Sequence, residues 1–109
     1  MQTESKGKDG KGSITGIDKL IHQPARYMIM AYLYVVESAD FLFLRRQTEL
    51  TFGNLSSHLG KLEKAGHVKI KKEFIGKKPH TMISLTKKGR GAFENYRKNM
   101  KNILEALPE

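Results

Sequence analysis

A mainly helical α+β domain, with helices leading into a basic hairpin of two or three strands, is the fold class this sequence predicts. Three observations carry the prediction. Apolar residues recur at helical spacing in four separate stretches, and the spacing switches to strict alternation after Val68. Half of the 20 Lys and Arg residues also lie between residues 61 and 90.

The chain has 109 residues and no cysteine, enough for one small core and no disulfide or thiolate metal site. Residues 1–14 hold three glycines and Lys6, Lys8 and Lys11 but nothing to bury, so they are expected to form a flexible basic, Gly-rich arm. Gly7 and Gly12 have the separation of a phosphate loop, yet Ser13 stands where that loop requires lysine. Residues 15–109 form the expected folded domain.

The first helix is expected from Pro24, whose missing N–H is harmless in a first turn, to about Glu37. Tyr27 to Val36 is apolar or amphipathic almost all round, which implies burial on more than one side. At ten residues it is about half of the ~20 needed to span a bilayer. Asp40 caps a short helix from Phe41 to about Thr48, with Phe41, Leu44 and Leu42 inward and Arg45 and Arg46 outward. Thr51 caps the next, where Phe52, Leu55, Leu59 and Leu62 make one apolar stripe; Phe52 is expected to touch the core. Gly66 supplies a left-handed C-terminal residue.

From Val68 the period becomes two. Val68, Ile70 and Phe74 point inward between Lys69, Lys71 and Glu73, with Lys72 breaking the inward set. The Gly76 to Pro79 stretch supplies a turn, and Thr81, Ile83 and Leu85 alternate in a returning strand. Thr86 caps a last helix carrying Ala92, Phe93, Tyr96, Met100, Ile103, Leu104 and Leu107, roughly 30 Å long and too long for so small a core to cover.

This element order is that of a winged helix-turn-helix domain, with long first and last helices available for dimerisation. The segment LTFGNLSSHLGKLEKAGHVKIKKEFIGKKPHTMISLTKKGRGAF, Leu50 to Phe93, closely resembles small stand-alone winged-helix transcriptional regulators related to the MarR and ArsR families. The resemblance extends from about Ile21 to Tyr96. It implies a homodimeric DNA-binding regulator, expected to be a repressor, with the helix at residues 51–65 in the major groove. The wing at residues 74–81 would follow the minor groove or backbone, and the terminal helices would form the dimer. The missing cysteine departs from the metal-sensing relatives, so no metal site is expected.

The charge agrees with this reading. Of a net +9, residues 61–90 contribute +8, with only Glu63 and Glu73 opposing ten cations. Such localisation favours a polyanion partner over general solubility. Thr51, Gly53, Asn54, Ser56, Ser57, His58 and Lys61 lie on or beside the face of the third helix opposite its leucines. Asn pairs with adenine, Ser and His bond base edges or phosphates, and Gly53 permits close backbone approach. Lys69, Lys71, Lys77, Lys78, His80 and Arg90 are the expected phosphate or minor-groove contacts of the hairpin. Tyr27, Met30, Tyr34, Phe93, Tyr96, Met100, Ile103, Leu104 and Leu107 are the expected dimer contacts. Core packing is the plain alternative for the aromatic and methionine residues, and a pocket for an unknown small-molecule effector at the dimer seam is a third reading.

No enzyme is expected. Ser56, Ser57 and His58 are neighbours on one helix and cannot converge as a catalytic triad. His22, His58, His67 and His80 lack the i, i+4 spacing or carboxylate company of a metal site, and no cofactor is expected. Without an apolar leader or a face suited to a membrane, a cytoplasmic location is expected. Two other functions stay open: a non-specific architectural DNA- or RNA-binding protein, and a winged-helix module for protein interaction.

Overall fold

The computed structural model describes residues 16–108, so the expected arm at 1–14 lies outside the described residues. Four helices and two strands follow their expected places, and one short strand is added. The order is α1 (Pro24–Val36), β1 (Ser38–Asp40), α2 (Phe41–Thr48), α3 (Phe52–Lys64), β2 (Val68–Ile75), β3 (Lys78–Leu85) and α4 (Lys87–Glu105).

Local chemistry sets the boundaries. Gln23 accepts from the Arg26 backbone N–H ahead of Pro24, Asp40 accepts from Leu42 N, Thr51 from Asn54 N, and Thr86 from Gly89 N. These side chains satisfy N–H groups that have no partner within the helix. α2 ends at Glu49 in the left-handed region (φ 59°), and α3 gives way to Gly66 at φ 82°.

The three strands form one antiparallel sheet in the order β1-β3-β2. β2 and β3 pair from Val68↔Leu85 to Ile75↔Lys78, leaving Gly76 and Lys77 as a two-residue turn. β1 is only three residues, Ser38↔Ser84 to Asp40↔Met82, too short for any periodicity to reveal. Its neighbour Glu37 is also tied to the sheet, accepting from Leu85 N at 3.0 Å.

The core lies where α1, α2 and α3 meet the sheet and the start of α4. Ile29, Met30, Leu33, Leu44, Leu55, Leu59, Leu62 and Ile83 are fully or almost fully buried. Each such side chain contributes about 1.5–3 kcal/mol of transfer free energy. The α3 leucine stripe therefore presses inward as its spacing predicts, and orients the rest of the helix outward.

Five expectations are corrected. Leu42, expected inward, is 54% exposed, and Leu44 is the buried residue of α2. Met30 and Phe93, read as dimer contacts, belong to the chain's own core at 0% and 2% exposure and offer no surface to a partner. Phe52 is 62% exposed; its ring meets Phe41 at 4.9 Å but stays outside the core. Phe74, on the inward face by alternation, is 74% exposed because the hairpin extends past the body. Leu107 lies beyond the end of α4 at Glu105.

Candidate nucleic-acid interface

Burial of Leu55, Leu59 and Leu62 leaves Gly53, Asn54, Ser56, Ser57 and Lys61 exposed along α3, with Thr51 exposed at its cap. The Thr51 hydroxyl is already engaged, accepting from Asn54 N at 3.1 Å, so it holds the helix start in shape. The Asn54 side chain stands one turn from Ser57 and two from Lys61 on an open face.

His58 is half-buried on the flank of this helix. Arg26 Nη1 lies 3.2 Å from its Nδ1, and because guanidinium can only donate, Nδ1 accepts and Nε2 carries the proton. Burial, and then the positive charges of Arg26 and Lys61, lower its pKa below the ordinary 6.5. His58 is therefore a neutral donor positioned by α1. Arg26 also donates from Nε to the Leu20 carbonyl at 2.6 Å, bracing α3 against the segment before α1. Sequence reading missed Arg26, since no local pattern links residues 32 positions apart.

The wing stands beside α3. Lys69, Lys71, Lys72, Lys77 and Lys78 are all exposed, and the single acid among them, Glu73, is half-buried. Two expected members of this group are turned to other work. His80 is directed back at the body, where its Nδ1 donates to Asp40 Oδ1 at 2.8 Å. Arg90 lies over the Tyr34 ring, 4.6 Å from its centroid, and donates to the Tyr34 carbonyl at 3.4 Å. Both tie elements together, which removes them from the free donors of the surface. Arg45 and Arg46 are exposed on α2, and among the described residues neither forms an ion pair with Glu49.

A recess of about 420 Å³ separates α3 from the sheet, walled by Phe41, Phe52, Ser56, Gly60, Ile70 and Lys72 among others. On the opposite side of the molecule Tyr27 joins Phe93 and Tyr96 at ring distances of 5.5 and 5.8 Å, fixing the start of α4 on α1. Past Phe93, α4 has no buried residue. Met100, Ile103 and Leu104 are left half-buried or exposed there, Met100 and Leu104 beside Tyr27 and Tyr96. No helix of the described residues is long and apolar enough to cross a membrane.

A family model described as a winged helix DNA-binding domain matches residues 25–104, from the start of α1 almost to the end of α4. The chain belongs to the winged helix DNA-binding domain family. That family is defined by binding, and this winged-helix domain is no enzyme. An uncharacterized protein of Methanocaldococcus jannaschii is 44% identical over 78 residues, covering 72% of this chain and 85% of its own. A transcriptional regulator homologue from Pyrococcus horikoshii OT3 superposes with a TM-score of 0.79 at 29% identity, over 84% of this chain and 91% of that one. Reduced AbfR bound to DNA superposes with a TM-score of 0.62 at 22% identity, over 84% of this chain and 64% of that one, a likeness of fold.

Proposed function

We propose that this protein is a sequence-specific regulator of transcription that binds duplex DNA as a homodimer. The observation that carries the proposal is the outward face of α3, Asn54, Ser57 and Lys61, standing beside a wing whose exposed charges are all lysine. α3 enters the major groove, where Asn54 and Ser57 read base edges, while Gly53, Ser56 and the His58 Nε2 proton meet the flanking backbone. Lys69, Lys71, Lys77 and Lys78 hold phosphates along the adjacent minor groove and supply affinity more than specificity. The regulatory role is supported by the likeness to the Pyrococcus horikoshii regulator homologue. Dimerisation is supported by the uncovered second half of α4, whose Ile103 and Leu104, with Met100 and Tyr96, need a second copy to leave water.

The test is selection of fragmented genomic DNA by the purified chain near physiological salt, followed by sequencing. The expected product is an inverted repeat with half-sites about one helical turn apart. Asn54→Ala should then relax sequence preference, and Lys77→Ala should weaken all duplexes alike and reduce the salt slope by about one. Uniform retention of every fragment would replace this reading with an architectural one, which the preponderance of lysine over arginine in the wing favours.

A further inference from the structure

We propose that the wing tip is an apolar wedge: Phe74, with Pro79 beside it across the ladder, enters a minor-groove base step and bends the duplex. The inference rests on the DNA-binding reading above and adds to it a kink at one base step.

Three observations converge on the tip. First, Phe74 is 74% exposed and Ile75 52% exposed, adjacent residues that the core does not claim. By strand alternation Phe74 shares a sheet face with Val68 and Ile70, the face α3 covers, and its cross-strand partner there is Pro79. Cover by α3 reaches Lys72 and Thr81 at the end of the recess, so the Phe74–Pro79 pair lies past the body, set apart from the apolar face by the Lys72–Thr81 pair.

Second, the tip is stiff enough to push. The β2–β3 ladder continues to Ile75↔Lys78 and closes through the two-residue turn Gly76-Lys77. Behind the tip β3 is held by the His80 to Asp40 hydrogen bond, and further along by its pairing with β1. A short braced hairpin loses little further order on inserting one ring.

Third, the surroundings select the partner. Lys71, Lys72, Lys77 and Lys78 ring the apolar pair and are all exposed. A second copy docking through this patch would bring both sets of lysines together across the contact, which opposes self-association. A duplex instead offers phosphate rows on both sides of a narrow apolar cleft between stacked bases. Phe and Ile are side chains that unstack base steps from the minor groove, and the bend so formed brings more backbone against the cations. An anionic bilayer would also receive an aromatic ringed by lysines. The exposed polar face of α3 beside the wing favours nucleic acid, having no use at a lipid surface.

The test uses the full chain and an A·T-rich duplex of about 30 base pairs containing pyrimidine–purine steps, the steps most easily kinked. Dyes at both ends read end-to-end distance at saturating protein, and a separate titration reads affinity and its salt slope. The wild type should shorten the end-to-end distance as a bend of about 20–90° requires. Phe74→Ala should lose the shortening while keeping the salt slope, Phe74→Leu should keep both, and Lys77→Ala should bend at saturation with a flatter slope. Because Phe74 is exposed, its variants should melt with the wild type. Saturated binding with no shortening, or shortening unchanged in Phe74→Ala, overturns the wedge and leaves the DNA-binding reading intact. Absence of duplex binding at low salt overturns both. Phe74-dependent binding to phosphatidylserine vesicles, with no duplex bending, assigns the tip to membranes and overturns the wedge.

Discussion

His80 of the wing and Asp40 of the α2 cap share one hydrogen bond of 2.8 Å between Nδ1 and Oδ1. The other carboxylate oxygen accepts from Leu42 N at 2.8 Å, so one aspartate starts a helix and anchors a strand. Burial alone would raise the Asp40 pKa. The hydrogen bonds from His80 and from the Leu42 and Phe43 backbone outweigh it and hold the group below its ordinary 3.8. A lowered carboxylate value means stability that is present above about pH 3.8 and is lost as pH falls through the folded-state value.

Asp40→Ala should therefore destabilise the domain by about 0.5–2 kcal/mol through the lost cap, with the wing base loosened as well. Urea unfolding measures the first effect, and hydrogen exchange of the β3 amides near His80 the second. An unchanged exchange rate there would limit Asp40 to its capping role.

Gly89 and Gly91 sit two residues apart on α4 and should respond oppositely to alanine. A Cβ at Gly89 would run into the carbonyl of His67, where the Thr86 hydroxyl also binds at 3.1 Å. The backbone must shift, and Gly89→Ala should cost about 1–3 kcal/mol or more, as overpacking does. Gly91 has nothing within 4 Å of its would-be Cβ. There the helix gains propensity, and Gly91→Ala should stabilise by up to about 1 kcal/mol. Denaturant midpoints of the two variants decide the matter.

His67 is 6% exposed, and its Nδ1 is buried without a hydrogen-bond partner among the described residues. Burial lowers its pKa below the ordinary 6.5; nearby Lys88 acts the same way and Asp18 opposes both. The unfolded chain thus takes up the proton first, and stability falls as pH drops below about 6.5 toward the folded-state value. Urea midpoints at about pH 7.5 and about pH 5.5 should differ more in the wild type than in His67→Phe. Some slope should survive in the variant, since His58 is shifted in the same direction.

Leu104 is 67% exposed on the uncovered half of α4. If a second copy covers it, Leu104→Glu should convert a sedimenting dimer to monomer without lowering the stability of the fold itself. Affinity for an inverted-repeat duplex should fall with it, because two half-sites are no longer held together. Wild-type protein that sediments as a monomer at micromolar concentration would end the dimer proposal.

The sequence by itself determined the elements that local physics controls. Asp40, Thr51 and Thr86 are caps because each side chain meets an amide two or three residues on, and the α3 face followed from leucines spaced three and four apart. Exposure of the wing lysines was equally legible from charge and alternation. Tertiary structure decided which polar groups remained free for a partner. His80 and Arg90 read as phosphate or minor-groove contacts, yet Asp40 and Tyr34 claim them from 40 and 56 residues away. It also decided which apolar residues lack cover. Met30 and Phe93 went inside while Phe52 and Phe74 stayed out, because burial depends on where the elements meet and end. Periodicity assigns a side chain to a face of its element, and only the packed chain determines what lies opposite that face.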